Sequence, residues 1–113
     1  MRGEAAHIRS MQPLSHPPVE SLSLERVLHA LGDVARLMMF RTIAASDGIA
    51  CGEVCAFQPR STLSHNTRIL REAGLIRSER RGKSLINYPR TEDLEARFPG
   101  LLDVVLNRGP AAR

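Results

Sequence analysis

Residues 61–89 read STLSHNTRILREAGLIRSERRGKSLINYP, and the fold turns on this stretch. Between Ser61 and Ala73, Leu63, Leu70 and Ala73 share one helical face. Ser61, Ser64, His65, Arg68 and Arg71 or Glu72 recur at i, i+3, i+4 and i+7 on the other. Gly74 is the glycine expected just past a helix C-terminus. The period then changes. Leu75–Glu79 and Ser84–Tyr88 are strand-like, joined by Arg80-Arg81-Gly82-Lys83, and Pro89 ends the second strand. Just upstream, Cys51–Phe57 reads as a short helix closed by Gln58-Pro59. A short helix, a tight turn at Gln58-Pro59-Arg60 and a polar-faced helix predict a helix-turn-helix, and the basic-tipped hairpin predicts a wing.

This order suits duplex DNA for a physical reason. A major groove admits one α-helix. Such a helix needs short hydroxyls, so that its backbone can approach, and long donors that reach base edges. Arg60, Ser61, Thr62, Ser64, His65 and Arg68 supply both. Arg68 is the candidate base reader, because a guanidinium pairs with guanine through two hydrogen bonds. The wing needs cations for phosphate or for the neighbouring minor groove, and Arg77, Arg80, Arg81 and Lys83 supply them. Asn87 is a candidate backbone contact, while Tyr88 reads as hairpin packing. The plainer alternative is a solvated helix face and a solubilising hairpin tip.

Upstream of this core, residues 1–18 contain Pro13, Pro17 and Pro18 with little periodicity, and a disordered tail is expected. Glu20–Leu31 reads as a helix, with Leu24, Val27, Leu28 and Leu31 on one stripe, a start near Ser21 or Ser23 and an end at Gly32. Asp33 is an N-cap for a second helix over Val34–Ser46, whose inner face is Leu37, Phe40, Ile43 and Ala44. Asp47-Gly48 marks a turn, and Ile49-Ala50 is a short extended piece at most. Downstream, Thr91 is expected to cap a last helix with Glu92 and Asp93 in its first turn. Its stripe is Leu94, Phe98, Leu101, Leu102, Val105 and Leu106, and Pro99 should kink or restart it. Residues 108–113 are expected to fray. One domain over residues 19–107 follows, mainly α with a two-stranded β-hairpin.

Charge sharpens the functional reading. The 113-residue chain carries a net +4, and 15 of its 16 basic residues are Arg. From Arg60 to Arg90, eight basic residues face two acidic ones, a net of +6; the remainder, with eight basic and ten acidic, is −2. A concentrated basic segment favours a polyanion such as DNA or RNA. Aromatics are only 4%, which leaves few platforms for stacking single-stranded bases. Two cysteines exclude a disulfide-stapled fold. No apolar run reaches membrane-spanning length, and MRGEAAHIRSMQPL lacks the apolar core of a signal peptide. A soluble, reduced, cytoplasmic protein without membrane contact is expected. No glycine-rich phosphate loop, metal-ligand cluster or nucleophile–base pair is visible, so neither an enzyme nor a cofactor is expected. A winged helix used only for protein contacts is the alternative, but it would favour an acidic or apolar exposed face.

These motifs resemble the ArsR/SmtB family of repressors. STLSHNTRILREAGLI (61–76) looks like their recognition helix, LHALGDVARLMMF (28–40) their second-helix region, and RRGKSLINYP (80–89) their wing. The resemblance covers about residues 22–106. Val34-Ala35 replaces the common Pro-Thr, and Asn66 stands where a second His is common. The resemblance implies a winged helix-turn-helix repressor that dimerises through its first and last helices and reads an inverted-repeat operator. The apolar stripes of both terminal helices agree, since they exceed what one small core can cover. Leu24, Val27, Leu28, Leu101, Leu102, Val105 and Leu106 are the expected dimer interface.

Arsenic-responsive members of that family place thiols near the recognition unit. Here Cys51 and Cys55 are spaced by four, with Cβ atoms about 5–6 Å apart on a helix. That suits shared thiolate coordination of a soft ion better than a disulfide, which needs Cβ atoms about 4 Å apart. A thiol- or metal-responsive repressor is therefore an alternative, with buried packing cysteines as the plainer reading. The last helix lacks the His and acidic ligands of zinc-responsive members. His7 and His16, in the tail, carry no assigned role, and His29 reads as surface.

Overall fold

A computed structural model describes residues 14–54 and 58–108. Cys55 and the first thirteen and last five residues lie outside that range. Of the tail expected over 1–18, the part from Leu14 onward runs along the body, where Arg90 Nη1 donates to the Pro17 carbonyl at 2.8 Å. A 3₁₀ turn over Val19–Ser21 follows.

Helix α1 spans Leu24–Leu31, later than the Glu20 start that apolar spacing predicts. Ser23 decides the start, because its hydroxyl accepts from the Arg26 N–H at 3.4 Å. Leu22 just before it is extended and buried, under Gly74. Gly74 has φ +87, and a Cβ there would overlap the Leu22 side chain, so both conformation and space require glycine. Helix α2 spans Val34–Ala44, and Asp33 caps it as expected, its Oδ2 3.0 Å from the Arg36 nitrogen. It stops short of Ser46, whose hydroxyl turns back to the Ile43 carbonyl at 2.7 Å. Strand β1 (Ile49–Ala50) leads directly into helix α3, which starts at Cys51 and is described to Val54.

Helix α4 spans Arg60–Glu72. Strands β2 (Ile76–Arg81) and β3 (Ser84–Pro89) form the wing. The expected two-stranded hairpin is in fact part of a three-stranded antiparallel sheet of order β1-β3-β2. Ile49 and Ala50 pair with Asn87 and Ile86, and a two-residue strand is too short to show alternation in sequence. The expected four-residue loop tightens to two residues, because Arg80 and Arg81 join β2 opposite Leu85 and Ser84. Gly82, at φ +62, makes that turn without strain.

Helix α5 (Thr91–Arg97) and helix α6 (Leu101–Val105) are two pieces, as Pro99 requires, with Gly100 left-handed between them. Thr91 is the first helical residue rather than the cap; Arg90 holds the cap position without a side-chain capping bond.

The core lies where α1, α2, α4 and the sheet meet. Phe40, Ile43, Val27, Leu70, Leu75 and Leu94 have no exposed surface. Each such side chain contributes about 1.5–3 kcal/mol of burial. Arginines tie the periphery to it. Arg41 Nε reaches the Val105 carbonyl at 2.8 Å, and Arg97 Nη2 the Leu22 carbonyl at 2.6 Å. Arg36 is the most connected. Its Nε donates to Ala30 O at 2.8 Å, its Nη2 to His29 O at 3.4 Å and its Nη1 to Asn66 Oδ1 at 3.2 Å. Asn66 Nδ2 in turn donates to Gln58 Oε1 at 3.1 Å. Helix α4 is thus fixed to the end of α1, to α2 and to the turn before it through one buried amide. Asn66→Ala should cost about 1–3 kcal/mol, since it removes the shared partner of the half-buried Arg36 Nη1 and Gln58 Oε1. Urea unfolding measures this as a lower midpoint at unchanged m; a loss under about 0.5 kcal/mol would contradict the role.

Candidate nucleic-acid interface

Helix α4 is sorted cleanly by side. Leu63, Asn66, Thr67 and Leu70 are buried. Arg60, Ser61, Thr62, Ser64, His65 and Arg68 are exposed. The exposed set contains every α4 residue expected to meet DNA. Asn66, which stands where a second His is common in the resembled family, faces the core and positions the helix. Thr67, also buried, donates to the Leu63 carbonyl at 2.8 Å and sits 3.4 Å from Cys51 Sγ. A signal for these residues was present: 63, 66, 67 and 70 are themselves i, i+3, i+4 and i+7. The polar identity of two of them hid the stripe.

Between α4 and the wing lies an open groove of about 440 Å³, lined by Ser61, Ser64, His65, Thr67, Arg68 and Arg71 of α4, with Leu85 of β3 and Cys51. Hydroxyls, an imidazole and guanidiniums line it together with the Leu85 side chain and the Cys51 thiol. Among the described residues, Arg68, Arg80 and Lys83 form no ion pair. The register divides the wing's cations. Arg80 pairs with Leu85 and so shares the groove-side face of the hairpin. Arg77 and Arg81 project from the opposite face, where both pair with Glu79. The Arg77 guanidinium stacks 4.3 Å from the centre of the Tyr88 ring. Tyr88 is accordingly a packing residue, as expected. Asn87 is fully buried, its Oδ1 accepting from Ser78 Oγ at 2.7 Å, and makes no surface for a nucleic-acid backbone.

A polar chain underlies the groove. Arg71 Nη1 donates to Ser78 Oγ at 3.4 Å, Ser78 to Asn87, and Asn87 Nδ2 to the Ile49 carbonyl at 3.5 Å. It links α4, both wing strands and β1, which fixes the angle between α4 and the wing. Burial lowers the pKa of Arg71, with Glu72 opposing.

His16, without an assigned role in the sequence, joins this chain. Its Nε2 accepts the Ser78 N–H at 3.0 Å, occupying the free edge of β2. Burial, then the charges of Arg71, Arg90 and Arg77, hold its pKa below 6.5, against a hydrogen bond to the Leu14 backbone.

The expected dimer residues separate. Val27 and Leu102 have no exposed surface and belong to the subunit's own core, a correction that follows from α1 and α6 packing inward. Leu101, Val105 and Leu106 are half-buried, while Leu24 and Leu28 are exposed at 44% and 51%. Val34, Met38 and Val104, not anticipated, are exposed at 78%, 53% and 78%. Cys51 is half-buried; its expected companion Cys55 lies outside the described residues, so the thiol pair is not placed. Among the described residues, no three His, Cys, Asp or Glu side chains cluster to hold a metal, and no helix is long and apolar enough to cross a membrane.

Helices packed beneath a polar-faced helix, followed by a hairpin wing, define the winged-helix class of fold. Solved structures agree. The chain is similar to NolR from Sinorhizobium fredii, with a TM-score of 0.57 and 21% identity over 85% of this chain and 98% of that one. It is similar to the transcriptional repressor BigR from Xylella fastidiosa, with a TM-score of 0.54 and 19% identity over 87% and 96%. Reduced HlyU from Vibrio cholerae matches with a TM-score of 0.55 and 19% identity over 66% and 87%. No protein-family model and no curated protein matches the sequence.

The His16 contact has a readable pH dependence. Only neutral imidazole accepts the Ser78 N–H. Because the folded pKa is lowered, the contact's stability is present above pH 6.5 and is lost as pH falls below it. The Ser78 amide NMR shift should titrate with an apparent pKa below 6.5, and His16→Ala should abolish that titration; a Ser78 amide unmoved between about pH 7.5 and 5 would refute the contact.

Proposed function

We propose that this protein is a sequence-specific double-stranded DNA-binding transcriptional regulator of ArsR/SmtB type, a repressor that binds an inverted-repeat operator as a homodimer. The observation that carries the reading is the sorting of α4. Arg60, Ser61, Thr62, Ser64, His65 and Arg68 face outward beside a cationic wing, and the structural Asn66 and Thr67 face inward. Arg60, Ser61, Thr62, Ser64, His65 and Arg68 enter the major groove, and Arg77, Arg80, Arg81 and Lys83 hold phosphate or the adjacent minor groove. The repressor BigR, with the same fold, supports repression. No enzymatic activity, cofactor or membrane contact belongs to this reading, and the cytoplasm is its setting.

The homodimer is supported by the exposed Leu24 and Leu28 on α1 and by the half-buried Leu101, Val105 and Leu106 near the C-terminus. A second copy would cover this apolar surface. Two recognition helices would then meet half-sites about one helical turn, 10–11 bp, apart. Multi-angle light scattering should give a dimer at micromolar concentration, and Leu24→Glu with Leu28→Glu should give a monomer. A wild-type monomer contradicts the dimer.

The DNA-binding reading is tested by selection from random duplexes followed by variants. Arg68→Ala should cost about 1–3 kcal/mol on the selected site and relax one base position. Arg80→Ala with Lys83→Ala should weaken selected and random duplexes alike and lower the salt slope by about 2. Equal loss on both duplexes from Arg68→Ala would remove its base-reading role.

A further inference from the structure

Two of the wing's four cations are already engaged in the free protein. Arg77, Glu79 and Arg81 alternate along β2 and share the face away from the groove, opposite Tyr88, Ile86 and Ser84 of β3. Glu79 pairs through Oε2 with Arg77 and through Oε1 with Arg81 Nη2, the latter at 3.3 Å. Tyr88 completes the cluster, its ring under Arg77 and its hydroxyl accepting from Arg81 Nη2 at 3.3 Å. Arg80 and Lys83 have no such counterion among the described residues. Glu79 is one of only two acids between Arg60 and Arg90, and the other, Glu72, lies on α4.

We propose that Glu79 is an internal counterion that competes with DNA phosphate for Arg77 and Arg81, and so limits the sequence-independent strength of DNA binding. The inference rests on the DNA-binding reading above and adds a regulating residue to it. Carboxylate and phosphate satisfy a guanidinium through the same paired oxygens. A phosphate that takes Arg77 or Arg81 must therefore displace Glu79 or sit beside its charge. Either event reduces the gain from releasing counterions. The Arg77 hydrogen bond holds the Glu79 carboxyl below its ordinary pKa, so the counterion stays ionised at neutral pH. The effect is felt at phosphate, because base edges are read from α4. Glu79 consequently sets affinity without setting sequence preference.

The test is fluorescence anisotropy on the full chain, with the selected duplex and with a random-sequence duplex, across about 50–200 mM salt. Glu79→Gln keeps the shape and removes the charge. It should tighten both duplexes by the same factor, roughly threefold to tenfold at the low-salt end, and steepen the salt slope by about 1. Glu25→Gln, an equal change of net charge on α1, should leave the slope where it was. Glu79→Gln binding identical to wild type overturns the inference, as does an equal response to Glu25→Gln, which would make the effect one of net charge alone. A gain confined to the selected duplex also overturns it, because Glu79 would then act on a base. Wild-type protein that holds neither duplex defeats the DNA-binding reading itself. Wild type that binds while Glu79→Gln changes nothing defeats the counterion alone.

Discussion

The Arg36 guanidinium is the joint on which the rest depends. It fastens the Ala30 and His29 carbonyls at the end of α1 to Asn66 in the middle of α4. The His29 carbonyl already takes the Gly32 N–H, but among the described residues the Ala30 carbonyl has only Arg36, and a buried amide unpaired costs about 1–3 kcal/mol. One side chain satisfies both needs, and in doing so fixes the rotation of α4 about its own axis. That rotation is the functional variable. A helix turned by one residue would present Asn66 and Thr67 and bury His65 or Arg68.

A second constraint fixes the wing relative to the helix. The polar chain from Arg71 through the buried Ser78 and Asn87 to Ile49 crosses four elements. Each member is a donor or acceptor that would be costly if orphaned, and no buried side-chain polar atom among the described residues lacks a partner. The groove between α4 and Leu85 therefore has a set width. His16 docks on the same chain from outside, so the stretch before α1 is part of the architecture that shapes the groove.

The amphipathic elements were legible in the sequence, because burial follows period: the exposed face of α4, the hairpin, the capped start of α2 and the break at Pro99 could all be read. What escaped was polar burial and long-range pairing. Asn66 and Thr67 occupy a core stripe as polar residues, so hydropathy passed over them. Arg36 and Arg41 look like surface charge until their partners distant in sequence, Asn66 and the Val105 carbonyl, are known. Strand β1 exists only through Asn87 and Ile86. On the terminal helices the period placed Val27 correctly on an apolar stripe, but could not tell a subunit's own core from a surface offered to a second copy. In the wing, composition counted four cations, whereas strand alternation places two of them against Glu79.

Backbone amide chemical shifts of the isotope-labelled chain, recorded as a selected duplex is added, test the central claim most directly. The account predicts perturbations concentrated at residues 60–65, 68 and 80–83, with the amides of Arg36 and of the α2 core unmoved. Perturbations centred on α1 and α6 with α4 silent would contradict it.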